Sequence, residues 1–174
     1  MKPRAVLIAL ALAVAAELGP ALTSPAIGWP KLVLWNASAS APIGLYLLRP
    51  ATPVHIGELV AVTPPAPLAH FMAARDYLPL RVPLLKHVGA LRGQTVCRSA
   101  RTVTIDGAAA ATALDHDSRG WPLPVWQGCR TLHAGEVFLL NSTALASFDG
   151  RYFGVVRITT ITARAVPLWI SKDP

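Results

Sequence analysis

Prolines and glycines break this chain too often for a helical bundle. The 16 prolines and 12 glycines are spread along nearly its whole length. Proline removes a backbone donor and collides with the preceding helical turn, while glycine costs about 1 kcal/mol against alanine inside a helix. Short strands joined by turns are the architecture such spacing permits, so a mainly β body is expected. A length of 174 residues suits one domain with a sizeable core. Hydrophobic residues make up 53% and charged residues 14%, which excludes a disordered chain or a charged tail.

The net charge of +7 and a pI near 10.1 would fit a phosphate binder. The distribution argues against one. Apart from Arg98 and Arg101 the basic residues do not cluster, and the aromatic residues form no repeating platform for bases. No nucleic-acid partner is expected, and an anionic lipid surface accounts for the same charge. The lysines are Lys2, Lys31, Lys86 and Lys172, which leaves Lys86 as the only one in the body of the chain.

Lys2 and Arg4 precede an apolar run at 5–16, interrupted by Glu17, Gly19 and Pro20 before a weaker stretch at 21–27. A positive flank, an apolar core and a break form the layout of a secretory signal or a short anchor. As a helix the first run spans about 18 Å against a hydrocarbon core of ~30 Å, so both a retained anchor helix and a cleaved signal fit residues 1–30. Either one exports residues 31–174. Cys97 and Cys129, the only cysteines, then read as one disulfide in an oxidising compartment. His55, His70, His87, His116 and His133 lack the paired spacing of a metal site, so neither metal nor cofactor is expected.

Within the body, strands are expected at 32–35, 43–49, 58–63, 83–90, 102–105 and 136–140, and in 152–169. A short helix is expected over 68–77. Asp106-Gly107 signals a hairpin. Residues 108–128, with Gly120, Pro122 and Pro124, read as a loop-like excursion tied back by the disulfide.

Two features carry chemistry. Residues 36–46 are small and polar where a strand should continue, and by themselves Ser38 and Ser40 near Pro42 and Gly44 can simply form a turn. Lys86 sits in an apolar run at 82–90, where an ammonium is costly unless it is neutral or paired. Desolvation lowers a lysine's pKa and makes it a base able to activate a serine hydroxyl; the alternative is a lysine that snorkels to solvent or pairs with a carboxylate.

Residues 36–46 resemble the nucleophile motif of the TraF-type conjugative transfer signal peptidases, a branch of the signal peptidase I family. An asparagine and a hydroxyl residue precede S-x-P-x-G-L-Y. Residues 85–93 resemble the lysine box of that family. Phe138-Leu139-Leu140, followed by residues 147–154, resembles its carboxy-terminal box. Two positions depart from the pattern. Arg92-Gly93-Gln94 replaces a usual proline-glycine-aspartate, and Gly150 stands where a serine commonly follows the aspartate.

The resemblance implies a signal-peptidase-like β catalytic domain at the periplasmic face of the inner membrane. In it Ser40 is the nucleophile and Lys86 its base. The Ser40 N–H and the Ser38 hydroxyl form an oxyanion hole, and Ser147 orients Lys86. Asp149 and Arg151 support this shell as an ion pair, with a more direct role for Asp149 also open. The implied substrate is a conjugative pilin precursor, cut after a small residue and in some relatives circularised, with the transfer apparatus as a further partner. The alternatives are a general signal peptidase for exported preproteins, and a catalytically silent periplasmic domain that binds a transfer-apparatus subunit.

Overall fold

The computed structural model describes residues 33–171. The expected apolar segment at 1–30 lies outside them. No helix among the described residues is long and apolar enough to cross a membrane.

The body is mainly β, as its breakers require. Strands β1 (Val33–Asn36), β2 (Gly44–Arg49), β3 (Leu59–Val62) and β4 (Leu84–Ala90) come first. They are followed by β5 (Thr95–Ser99), β6 (Thr102–Ile105), β7 (Ala108–Thr112), β8 (Gly128–Thr131) and β9 (Glu136–Leu139), and finally by β10 (Val155–Arg157) and β11 (Ile161–Ile170). Helix α1 (Ala66–Ala74) follows β3, and a single turn, α2 (Gly150–Phe153), precedes β10. Seven strands form one antiparallel sheet in the order β1-β2-β11-β3-β4-β9-β10, and four form a second in the order β7-β6-β5-β8.

The sheets are organised by burial. β4 is an interior strand nearly continuous in buried residues, the pattern of a strand covered on both faces. On one side Val60, Val62, Leu84, Val88, Val137 and Leu139 pack with Met72 of α1. On the other, Ala90, Phe138 and Leu140 meet Val96 and Val103 of the second sheet and Leu132 just past β8. β11 bridges β2 and β3, and its register with β2 shifts at Pro167, which has no N–H to give the ladder.

Three expectations are corrected, and the expected Cys97–Cys129 disulfide is present. Residues 95–99 and 128–131, unread as strands, are β5 and β8. The loop-like excursion of 108–128 begins as β7, which completes the hairpin signalled by Asp106-Gly107. The final stretch is not continuous strand from 152. It opens with α2, capped by the Asp149 carboxylate, and a 3₁₀ turn at Ile158–Thr160 separates β10 from β11. The disulfide joins register partners on β5 and β8, so it staples two adjacent strands of the second sheet, with Cys129 just after the excursion.

That bridge closes a sequence separation of 32. In the chain-entropy account a loop of this size is worth about 3 to 4 kcal/mol. Replacing Cys97 and Cys129 together by serine should therefore lower unfolding free energy by about that much in denaturant melts. The site described below should keep its geometry in the folded fraction, because neither cysteine borders it.

Candidate active site

The hairpin between β1 and β2 is held from inside by one side chain. Asn36 Nδ2 donates to the carbonyls of Ser38, Ala41 and Pro42 at 2.9, 3.0 and 3.0 Å, and its Oδ1 accepts the Ser38 N–H at 3.1 Å. The Tyr46 hydroxyl donates to the Pro42 carbonyl at 2.6 Å. Gly44 is required by close approach, since a Cβ there would lie 2.1 Å from the Trp169 carbonyl oxygen. So the asparagine, glycine and tyrosine of the motif shape a turn that presents Ser40. The Ser40 hydroxyl is 3.0 Å from that of Ser38, and the Ser40 N–H donates to Ser38 Oγ at 3.3 Å.

Lys86 points from the middle of β4 and is 2% exposed. Its ammonium donates to Ser147 Oγ at 2.8 Å. Burial is the main force on its acidity and brings its pKa down from 10.5 to about 8; the Asp149 carboxylate opposes this and the Arg151 guanidinium adds to it.

Asp149 and Arg151 form a two-pronged, fully buried pair. Arg151 Nε reaches Oδ1 and Nη2 reaches Oδ2, both at 2.9 Å. The remaining capacity of the carboxylate goes to the Arg151 and Asn141 N–H groups at 3.1 and 3.0 Å. The other Arg151 protons bind the carbonyls of Thr112, Asn141, Ala144, Leu145 and Ser147. The guanidinium thereby shapes the loop that carries Ser147. Gly150 is dictated by space, because a Cβ would lie 2.6 Å from both the Leu139 carbonyl oxygen and the Phe138 ring.

Ser38, Ser40, Lys86 and Ser147 all line one cavity of about 530 Å³, whose apolar wall includes Met72, Leu84, Leu123 and Phe148. Asp149 and Arg151 lie behind it and do not line it. The structure thus gathers the proposed site residues without a direct Ser40–Lys86 hydrogen bond, since each side chain is bonded to a neighbouring serine. The cysteines sit apart, in the second sheet. Among the described residues no cluster of His, Cys, Asp or Glu fits a metal.

Two buried polar residues escape sequence reasoning. Asn141 touches both the Ser40 turn and β4. Arg98 donates to the carbonyls of Ala100, Pro124 and Arg151 and so ties the second sheet to α2. Most of their partners are main-chain groups far away in sequence, which leave no motif.

The chain is similar to known proteins. The family described as signal peptidase, peptidase S26, matches residues 4–170. A conjugal transfer protein TraF from Agrobacterium fabrum (strain C58 / ATCC 33970) is 35% identical over 150 residues, 80% of this chain and 82% of the relative. A plasmid transfer protein TraF from Escherichia coli is 32% identical over 147 residues, covering 77% and 82%. A crystal structure of a signal peptidase I from Enterococcus faecalis V583 aligns with a TM-score of 0.37 and 18% identity, over 63% of this chain and 94% of that one.

Proposed function

The chain belongs to the signal peptidase family, peptidase S26, in its TraF-type branch, and from that premise we propose that it is a serine endopeptidase that matures a conjugative pilin precursor with Ser40 as nucleophile and Lys86 as general base. The observation that carries this reading is the buried lysine on the wall of the cavity that also holds Ser40. An ammonium kept out of water without a carboxylate bonded to it is poorly placed for stability and well placed to be neutral near working pH.

In the proposed cycle the Ser40 hydroxyl turns from Ser38 to Lys86 Nζ, gives it a proton, and attacks the scissile carbonyl. The Ser40 N–H and the Ser38 hydroxyl receive the developing oxyanion; a donor of this kind is worth about 3 kcal/mol of barrier. The lysine then passes its proton to the leaving amine. Water, or the amino terminus of the substrate itself, resolves the acyl-enzyme, giving a linear or a circular product. Ser147 holds the lysine in place, and the Asp149–Arg151 pair holds Ser147.

Residues 1–30 serve in this reading as signal or anchor for a peptidase domain, 31–174, at the periplasmic face of the inner membrane. Trp35 and Trp169 support the membrane side of it. They stack at 5.9 Å between centroids, are 56% and 55% exposed, and flank the Ser40 turn, where a lipid interface suits their amphipathic rings. The names of the relatives favour conjugative transfer over general preprotein processing. Purified full-length protein incubated with candidate pilin precursors, followed by intact-mass measurement, tests the proposal. Loss of a terminal peptide is expected, with loss of one further water marking cyclisation; no mass change with any precursor rejects it.

Turnover should depend on pH with a defined sign. Neutral Lys86 is the working form, so kcat rises with pH through a limb near the lysine's pKa of about 8 and levels above it. A rate that is flat from pH 6 to 10, with chemistry limiting, contradicts the base assignment.

A further inference from the structure

On the reading of Ser40 and Lys86 as nucleophile and base, we propose that Asn141 is a positioning residue that fixes the distance between them. Asn141 lies two residues past the end of β9 and is 2% exposed. Its side-chain N–H groups donate to the Ser40 carbonyl and, at 3.1 Å, to the Leu85 carbonyl. Its Oδ1 accepts the His87 N–H at 3.0 Å and lies 3.0 Å from His87 Nδ1. Both donors and both acceptor positions of the amide are therefore occupied.

The chemistry of these partners matters. Leu85 and His87 flank Lys86 on β4, so one amide group grips the main chain on both sides of the base and, with its second proton, the main chain of the nucleophile. The amide itself is anchored from behind. The Asn141 N–H donates to Asp149 Oδ2 at 3.0 Å, and its carbonyl accepts from Arg151 Nη2 at 3.3 Å. The buried ion pair thus sets Asn141, and Asn141 sets the Ser40 turn against the lysine strand. Asn141 does not line the cavity, so its effect on the reaction is through position and not through substrate contact. Misplacing a reacting group by 1 Å costs about a hundredfold in rate, which makes such a clamp worth more to turnover than to binding.

Two variants separate the parts of the clamp. Asn141→Asp keeps the acceptor facing His87 but loses both donors, and Asn141→Ala loses everything. With full-length protein and an internally quenched peptide carrying alanine before the scissile bond, each variant should lower kcat by about thirty- to a hundredfold per folded molecule. KM should stay within about threefold, since substrate contacts are untouched. The alkaline limb of Asn141→Ala should keep the wild-type position, because neither the burial of Lys86 nor its charged neighbours change. A kcat within threefold of wild type, or a loss that vanishes once the folded fraction is counted, overturns the proposal. If wild type cleaves no peptide, the dyad reading fails and the clamp is judged by structure alone. In crystals of Asn141→Ala, or of Asn141→Asp should alanine not fold, a Ser40 Cα displaced from β4 by more than about 1 Å supports it. A superposable Ser40 turn overturns it.

Discussion

Ser40→Ala and Lys86→Arg should each cut peptide turnover by more than about ten-thousand-fold, as single losses from a nucleophile–base unit do elsewhere. Alanine leaves no oxygen to acylate. Arginine keeps the charge and most of the length of lysine, but a guanidinium cannot be deprotonated at working pH, so the base is lost while the cation stays. Lys86→Met adds a test that a bystander lysine would fail. The pKa of Lys86 falls from 10.5 unfolded to about 8 folded, so the buried ammonium opposes folding below pH 8. The shift corresponds to roughly 3 kcal/mol. Stability of the wild type therefore rises between about pH 8 and pH 10.5 as the unfolded chain retains the proton and the folded one does not. Lys86→Met should be inactive yet more stable than wild type at pH 7, by up to that amount, with the advantage fading between about pH 8 and pH 10.5 and absent above it. Urea melts across pH measure this; a methionine variant less stable than wild type at pH 7 would show that the site favours the cation.

Lys86 was legible because its cost is local. An ammonium inside an apolar strand-length run needs a reason, whatever the rest of the fold. The Ser40 turn was legible because asparagine, proline and glycine at those spacings each have a main-chain job, and the Asn36 amide and the tight contact at Gly44 show those jobs. Cys97 and Cys129 pair as an even count in an exported chain suggests, yet their setting was not legible, because the residues of β5 and β8 lack a clean apolar–polar alternation. β8 is exposed throughout, and Arg98 of β5 is buried among carbonyls contributed by other segments. Asn141 marks the limit most sharply. Its partners lie 101 and 56 positions away, and three of the bonds it makes are to main chain, so no neighbour in the sequence betrays it. Gly150 was visible only as a departure from a pattern, and its cause is a ring and a carbonyl from β9.

Arg151→Met should be the most destabilising single change at the site. It leaves the Asp149 carboxylate buried with its two N–H bonds but without its counter-ion, and leaves a set of inward-facing carbonyls on the 141–147 loop without donors. Breaking a buried pair from one side costs about 3 to 5 kcal/mol, a large share of the 5–15 kcal/mol that holds a domain together. Asp149→Asn is the milder partner variant, since an amide still accepts from the guanidinium, and the double variant should lose less than the two singles summed. The surviving folded fraction of Arg151→Met carries a second signature. Arg151 holds the pKa of Lys86 down while Asp149 holds it up, so removing the guanidinium alone lets the pKa rise. Its alkaline limb should lie at higher pH than that of wild type, on top of a lower plateau from a misplaced Ser147. Stability unchanged within about 1 kcal/mol would mean that solvent or a rearranged loop already serves Asp149, and that the pair supports neither the fold nor the lysine.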